Sequence, residues 1–438
     1  MDDMTALDRR ALLRAGALAG PLATLGRNAA AARRAAGATA PWYDLGMPDG
    51  VTDSQLLHVL GQTYAGQADI GEVLDTATRI SADDEWSWPT QWSRTAERLE
   101  KMAERSARDG RSVSAGKAWL RAATYHRAAL LHHPDPKDTS NLIGARRAMR
   151  AYGRGIDALR LPYERVAIPY QGVALPGFLA RSPHARRRAP LIVLQQGRDA
   201  WPESSGHLVA DALARGYHML LVHTPGQGLA LRELGLAFRP DWEAVIGPIL
   251  DHVERMDGID RDRVALFGWS MGGALAPRAA AFDRRIRLLV ANPGVLDWGA
   301  STFEQFAAYF PDLLPLLDSD PDRFDREILR LMERLPLIRW YMRDAMAKHG
   351  VDRPSALLRE LRRFTNADSV HRIRARTLVV DGTGESTSVG QARKLFDALR
   401  CDKDFLLFDA EDTGLLHCQE GASAVSSHRI FDWVDRHI

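Results

Sequence analysis

A serine between two glycines is the residue whose neighbours best suit it to act as a nucleophile. Ser270 lies in the pentapeptide 268–272 (GWSMG), after an apolar run at 263–267 and before an alanine-rich stretch at 274–282. A strand, a glycine-bounded serine and a helix predict a nucleophile elbow, a turn so sharp that the serine hydroxyl is held clear of the sheet. The N–H of Met271 would then point at the oxygen that becomes negative when a carbonyl is attacked. The alternative is an ordinary serine in a tight strand-to-helix turn, because short glycine-rich motifs also arise by chance.

A serine nucleophile needs a base to take its proton, and the base needs a carboxylate to orient it. In chains with this elbow the acid and then the histidine follow the serine, in loops after the last strands. His417 is the histidine between the strand predicted at 405–408 and the closing helix. The loop after the strand predicted at 377–380 offers Asp381, which could simply cap the turn, and Glu385, which lies deeper in the loop and is favoured as the acid.

A second donor to the oxyanion is expected from the loop that follows the strand at 191–194. Gly197 in this loop lets the backbone approach a ligand closely, and the N–H of Arg198 is the predicted donor. Asp199 and Glu203 lie on the same loop, near the expected mouth of the pocket. Either carboxylate could cap the loop or handle a proton of the substrate.

The order of the apolar runs indicates the fold that must hold these residues. Two runs around a Gln-Gly turn at 171–172 predict an antiparallel hairpin, and after it short apolar strands alternate with helical stretches. Strands that are apolar along their whole length predict a parallel sheet with helices on both faces, here in residues 162–438. Residues 293–370 interrupt the alternation with amphipathic helical stretches, which we expect to form a lid, with Trp340 and Tyr341 between two of them.

The chain before the sheet is predicted to be helical. Apolar residues recur every three or four positions through 41–161, which predicts a small N-terminal helical domain. His132 and His133 stand at a helix end beside a proline, where we expect them on the surface rather than at a metal ion. Cys401 and Cys418 make neither a disulfide framework nor a metal site of the usual spacing, and no metal or other cofactor is predicted.

Residues 1–40 carry the pattern of an export signal. A twin-arginine-like segment at 8–14 (DRRALLR) precedes an apolar stretch at 15–26 that is too short to span a bilayer. This predicts a periplasmic or secreted protein; a disordered tail or a misplaced start codon would leave it cytoplasmic. A net charge of +2, with 58 basic and 56 acidic residues spread along the chain, gives no reason to expect nucleic acid or a membrane surface as a partner. The sequence does not decide between a monomer and a homodimer.

Four stretches are typical of one group of enzymes. The most specific are 390–399 (GQARKLFDAL) and 417–422 (HCQEGA), and shorter ones lie at 119–123 (WLRAA) and 224–228 (TPGQG). On these stretches the chain resembles, over roughly residues 85–438, the α/β-hydrolases that include 2,6-dihydroxypseudooxynicotine hydrolase, the fungal pigment polyketide-shortening hydrolases and the FrsA-like esterases. The resemblance implies an α/β-hydrolase fold with an N-terminal helical domain and an inserted helical lid.

The resemblance also bears on the site and its substrate. Glu385 stands where members of the group typically carry an aspartate, and Asp199 where the pseudooxynicotine hydrolase carries a catalytic carboxylate, which implies a proton-handling role. A small carbonyl compound of the β-dicarbonyl type, cleaved at a carbon–carbon bond, is the implied substrate, and an ester would need the same machinery. Two alternatives are an exo-acting peptidase, which needs a group to hold a free amino terminus, and a catalytically silent binding or regulatory protein on this scaffold.

Overall fold

A computed structural model describes residues 41–47, 49–185 and 187–438 of the chain. The predicted export signal at 1–40 lies outside these residues. Within the described ranges, no helix has both the length and the apolar character that a membrane-spanning segment needs.

The chain before the sheet folds into helices. They are α1 (Gly50–Gly61), α2 (Ile70–Thr78), α3 (Ser87–Arg108), α4 (Ser112–Ala129) and α5 (Thr139–Leu159). Asp49 caps α1, since its carboxylate accepts a hydrogen bond from the N–H of Thr52 at 2.9 Å. Trp92 of α3 and Tyr125 of α4 are fully buried in a core that these helices share. Packing of this apolar face, rather than helix propensity alone, holds the segment together.

The described residues form one sheet of eight strands. In chain order the strands are β1 (Tyr163–Tyr170), β2 (Val173–Ala180), β3 (Ala189–Gln195), β4 (His218–Val222), β5 (Ile259–Trp269), β6 (Ile286–Asn292), β7 (Arg376–Gly382) and β8 (Lys403–Phe408). Across the sheet their order is β1-β2-β4-β3-β5-β6-β7-β8. The predicted hairpin joins β1 to β2, β2 also pairs antiparallel with β4, and the other neighbours are parallel. The prediction of a mostly parallel sheet is confirmed.

Helices cover both faces of this sheet. The remaining helices are α6 (Gly206–Ala214), α7 (Gly228–Arg232), α8 (Glu243–Val253), α9 (Gly272–Phe282), α10 (Trp298–Tyr309), α11 (Leu316–Ser319), α12 (Pro321–Arg334), α13 (Pro336–Lys348), α14 (Pro354–Leu361), α15 (Gln391–Ala398) and α16 (Ser423–His437). Side chains of β5 alternate between two cores, Leu266 with α8 and α9 on one face and Phe267 with α6 and α16 on the other.

The helices α10 to α14 lie between β6 and β7, where the sequence predicted an insertion. Trp340 and Tyr341 were expected between helices, but both lie inside α13, which begins with Pro336 at its first position. The expectation that His132 and His133 lie on the surface is wrong. His133 is only 5% exposed. The ring of His132 stacks on that of Trp340 with 4.2 Å between centroids, because the inserted helices cover this end of α4.

Two glycines allow α4 and α5 to pack closely. A Cβ atom on Gly155 of α5 would lie 2.7 Å from Cδ2 of Leu120 and 3.2 Å from the backbone oxygen of Gly116, both on α4. Real Cβ atoms do not approach other atoms as closely as the first of these distances, so a side chain at Gly155 would push the helices apart.

We expect Gly155→Ala to destabilise the protein by about 1–3 kcal/mol, the usual cost of adding a methyl group to a filled contact. Gly247→Ala in α8 is the matched control, because a Cβ there meets nothing within 4 Å. That change should leave the stability unaltered or raise it by up to about 1 kcal/mol, since alanine favours a helix more than glycine does. Thermal and denaturant unfolding measure both. A Gly155→Ala protein at least as stable as the wild type would contradict the described packing.

Candidate active site

Ser270 occupies a strained turn between β5 and α9. Its φ angle is +59°, a left-handed conformation that side chains other than glycine rarely adopt. The N–H of Ser270 donates to the backbone oxygen of Asn292 at 2.7 Å, which ties the turn to β6. A Cβ on Gly268 would lie 2.1 Å from the backbone oxygen of Gly272, so the first glycine of the motif cannot be replaced without opening the turn.

Two hydrogen bonds connect Ser270, His417 and Glu385. The Oγ atom of Ser270 lies 2.8 Å from Nε2 of His417. On the other side of the ring, Nδ1 of His417 lies 2.8 Å from Oε2 of Glu385 and 3.0 Å from Oε1. These three residues come from the elbow after β5, the loop after β7 and the loop after β8. The structure therefore brings together the nucleophile, base and favoured acid that the sequence predicted.

The surroundings of Glu385 hold its carboxylate in place and keep it charged. Oε1 accepts hydrogen bonds from the backbone N–H groups of Thr387 at 2.7 Å and Ser388 at 2.9 Å. Burial works against the charged form, but His417 and these two N–H groups outweigh it, so the pKa of Glu385 lies below the ordinary glutamate value. A carboxylate that is already ionised can stabilise a positive imidazole ring.

The pKa of His417 is shifted in the opposite direction to that of Glu385. Burial opposes a charged ring, whereas the charge of Glu385 and its hydrogen bond favour it, and the pKa of His417 is raised above its ordinary value. Burial also raises the pKa of the Cys418 thiol, which is therefore neutral near pH 7. Glu385 is the anion responsible for the higher basicity of the ring, and Nε2 is the nitrogen left to receive a proton from Ser270.

Asp381, the alternative acid, is not part of this chain of hydrogen bonds. Its Oδ1 accepts from the N–H of the next residue, Gly382, at 2.9 Å. Burial raises the pKa of Asp381 to about 6, and the nearby charge of Glu385 adds to this. Asp381 thus binds the backbone at the end of β7.

The two predicted oxyanion donors are free to bind a ligand. The backbone N–H groups of Met271 and Arg198 donate to no acceptor in the part of the chain that the structure describes. The loop that carries Arg198 lies against the elbow, since a Cβ on Gly197 would be 2.9 Å from Oγ of Ser270. The side-chain amide of Gln227 holds this loop by donating to the backbone oxygen of Gly197 at 2.5 Å.

Asp199 belongs to a cluster of buried charges. Its Oδ1 accepts from Nζ of Lys348 at 2.6 Å, Lys348 also lies 2.9 Å from Asp344, and the side chain of Arg198 pairs with Asp344 at 2.5 Å. Burial opposes the charged form of Asp199, but Lys348 and then Arg198 lower its pKa below the ordinary aspartate value. The carboxylate lines the cavity, as expected, but it is held ionised by a lysine of α13.

Glu203, which was expected near the pocket mouth, is buried behind the loop. Its side chain is 1% exposed, and Oε1 lies 3.0 Å from Nε2 of His223. The residue does not border the cavity. It contacts a fixed partner inside the protein and has no access to substrate.

A cavity opens above Ser270, between the sheet, the N-terminal helices and the inserted helices. Its aromatic lining consists of Tyr43, Trp269, Trp298, Trp340 and Tyr341. Its polar lining includes His58 of α1 and Arg127 of α4, which sequence reasoning missed. No local pattern could have identified them, because the contact joins segments far apart in the sequence. Its lining also includes the carboxyl-bearing residues Asp44, Asp53, Asp199 and Glu420, so the cavity combines aromatic walls with charged groups that could orient a small organic molecule.

The described geometry provides the parts that acyl transfer requires: a serine hydroxyl, a base oriented by a carboxylate, and unoccupied N–H donors beside a cavity with aromatic walls. These parts recur on unrelated folds, so the fold and the relatives of the chain have to decide the family.

Comparisons with known proteins agree on the family. The sequence model of the alpha/beta hydrolase family matches residues 173–418, more than half of the chain. The 20-hydroxy-prefusarin hydrolase FUS2 of Gibberella moniliformis is 32% identical over 408 residues, which cover 87% of this chain and 95% of that protein. The hydrolase LUC6 of a Fusarium species is 31% identical over 405 residues, with the same coverage of 87% and 95%.

A solved structure shows the same fold. The crystal structure of 2,6-dihydroxy-pseudo-oxynicotine hydrolase superposes with a TM-score of 0.67 at 17% sequence identity, covering 86% of this chain and 95% of the other. The resemblance stated from the sequence motifs is thereby confirmed. The protein belongs to the alpha/beta hydrolase family and is a hydrolase.

Proposed function

We propose that the protein is a serine hydrolase that transfers an acyl group from a small organic carbonyl compound to water. Ser270 is the nucleophile, His417 the general base and Glu385 the acid that orients it. The observation that carries this proposal is the unbroken pair of hydrogen bonds from Glu385 through His417 to Ser270 at the edge of an open cavity.

The first half of the reaction forms an acyl-enzyme. Oγ of Ser270 bonds to the carbonyl carbon while its proton passes to Nε2 of His417, and the carbonyl oxygen takes the negative charge. The N–H groups of Met271 and Arg198 bind that oxygen. When the carbonyl re-forms, the leaving group departs with its bonding electron pair and takes the proton from His417. The ring carries a positive charge between these two transfers, and Glu385 stabilises it.

Water completes the reaction in the second half. A water molecule gives a proton to Nε2 of His417 and attacks the acyl carbon, and the same two N–H groups bind the oxyanion. Collapse breaks the bond to Ser270, whose oxygen recovers the proton. The products are a carboxylic acid and the protonated leaving group, so no redox partner is required.

The identity of the leaving group distinguishes two kinds of substrate. An ester releases an alcohol, whereas a β-dicarbonyl compound releases a carbanion stabilised as an enolate or phenolate. The named relatives act on a prefusarin and on a pseudo-oxynicotine, both small organic molecules. The aromatic lining of the cavity suits a flat acyl or leaving group. Turnover of p-nitrophenyl esters and of aryl β-diketones, each compared with Ser270→Ala, assigns the bond that is cleaved.

We expect Ser270→Ala to abolish labelling by a fluorophosphonate and to lower the kcat for a p-nitrophenyl ester by about 10⁴–10⁶-fold, because among the described residues Ser270 supplies the hydroxyl that is hydrogen-bonded to His417. Gel fluorescence and ester kinetics measure the two effects. Ser386→Ala is the matched control, since Ser386 lines the same cavity and makes no hydrogen bond to His417.

The control variant should label as the wild type does. A label that persists in Ser270→Ala would place the nucleophile elsewhere. A wild-type protein that takes no label and hydrolyses no substrate would favour a catalytically silent scaffold.

We expect Glu385→Gln to lower kcat by about 10²–10⁴-fold, because a neutral amide cannot stabilise the positive ring. His417 must be neutral to act as a base, so activity falls as the pH drops through its raised pKa. Removing the anion that raises this pKa should therefore move the acidic limb of kcat/KM to lower pH. Steady-state rates across pH 4–9 (roughly the range in which the ring titrates) measure the shift.

Asp381→Asn tests the competing acid in the same experiment. It should change kcat only a few-fold and leave the acidic limb nearly in place, since Asp381 makes no hydrogen bond to His417. A larger loss in Asp381→Asn than in Glu385→Gln would contradict the assignment.

A further inference from the structure

Arg127 is a buried cation whose protein partners leave one edge of its guanidinium free. The residue lies near the end of α4 and is 1% exposed. Its Nη1 donates to the backbone oxygen of Asp199 at 3.2 Å. Nε and Nη2 have no hydrogen-bond partner in the described parts of the chain, although both are buried. These two donors share one side of the planar group, the side that receives both oxygens of a carboxylate.

The neighbouring carboxylates do not fill this edge. Asp199 and Glu203 are the anions whose charge acts on Arg127. The carboxylate of Asp199 pairs with Lys348 at 2.6 Å, and that of Glu203 with His223 at 3.0 Å. Burial lowers the pKa of Arg127 to about 10, so the group is still charged at neutral pH. Leaving a buried charge without a matching group is costly, so the unpaired edge of Arg127 calls for a partner.

Arg127 borders the cavity that contains Ser270. His58 of α1 borders it too, and its Nε2 is buried and likewise has no hydrogen-bond partner among the described groups. Burial, and then the charge of Arg127, holds the pKa of His58 well below the ordinary histidine value, so this ring is neutral and can donate or accept one hydrogen bond. The two side chains come from different helices of the N-terminal segment.

We propose that Arg127, with His58 beside it, binds a carboxylate of the substrate while the carbonyl to be cleaved sits at Ser270. The inference rests on the proposed function and deepens it: the preferred substrate is a small acyl compound with a free acid group. The free Nε–Nη2 edge provides the bidentate geometry, and the burial of the guanidinium strengthens the interaction. In this arrangement, side chains of the N-terminal helices bind the acid group, and Ser270 at the edge of the sheet attacks the carbonyl.

The test uses matched ester pairs that differ by one charge. Mono-p-nitrophenyl succinate, glutarate, adipate and pimelate are each compared with the neutral p-nitrophenyl ester of the same chain length. For at least one chain length, the wild type should favour the acid-bearing ester in kcat/KM. Arg127→Gln should reduce that preference by about tenfold to a hundredfold, the usual effect of losing a charge-assisted pair. An unchanged preference would overturn the proposal.

Arg232→Gln is the matched control. Arg232 is another arginine with a buried, unpartnered Nε, but its guanidinium lies over the ring of Trp201 and does not border the cavity. Its substitution should leave the ratio of acid-bearing to neutral ester unchanged. If the Arg127→Gln protein does not fold, Arg127→Lys replaces it, because lysine keeps the positive charge but lacks the two parallel N–H donors of the guanidinium.

A binding measurement separates failure of this inference from failure of the proposed function. Calorimetry on Ser270→Ala compares adipate monomethyl ester, an anion, with the neutral dimethyl ester. The anion should bind at least about tenfold more tightly. Equal binding of the two would overturn the role of Arg127 whatever the enzyme's activity. Absence of a Ser270-dependent label in the wild type would instead overturn the proposed function. The binding comparison would still decide whether the cavity prefers an anion.

Discussion

The strained backbone at Ser270 is the constraint on which the rest of the site depends. A left-handed φ on a residue with a side chain costs on the order of 1–3 kcal/mol and persists only where the surroundings fix it. Here a backbone oxygen of β6 accepts a hydrogen bond from the N–H of Ser270. The glycines of the turn pack so closely against neighbouring backbone atoms that the turn has no room to relax. A relaxed turn would move the hydroxyl away from His417 and misalign the N–H of Met271. One backbone conformation therefore sets the positions of both the proposed nucleophile, Ser270, and one of the two proposed oxyanion donors, the N–H of Met271.

Buried charges join the three parts of the molecule around this turn. Asp199 on the loop after β3 pairs with Lys348 of the inserted helices, and its backbone oxygen accepts from Arg127 of the N-terminal helices. Breaking a buried ion pair by removing one partner typically costs about 3–5 kcal/mol, because the other charge is left uncompensated. The loop that carries the second oxyanion donor is thus fixed from two sides. The ion pair of Asp199 with Lys348 thus helps to position this loop.

The sequence predicted the features that depend on local pattern and on chain order. A strand, glycines and a helix located Ser270, and the order of the elements located His417 in the last loop. Features that depend on contacts between distant segments were not predictable, and Arg127 and His58 are examples, since nothing near them in the sequence marks a ligand site. The inserted helix α13 was missed, although Pro336 stands at its first position, where proline often begins a helix.

The central claim is that Ser270, His417 and two backbone N–H groups converge on one carbonyl. A crystal structure with an arylboronic acid, which mimics the tetrahedral intermediate, tests this directly. The account requires a covalent bond from boron to Oγ of Ser270, with one boronate oxygen within about 2.7–3.1 Å of the N–H groups of both Met271 and Arg198. A boronate attached to another residue, or one whose oxygens lie away from both N–H groups, would contradict it.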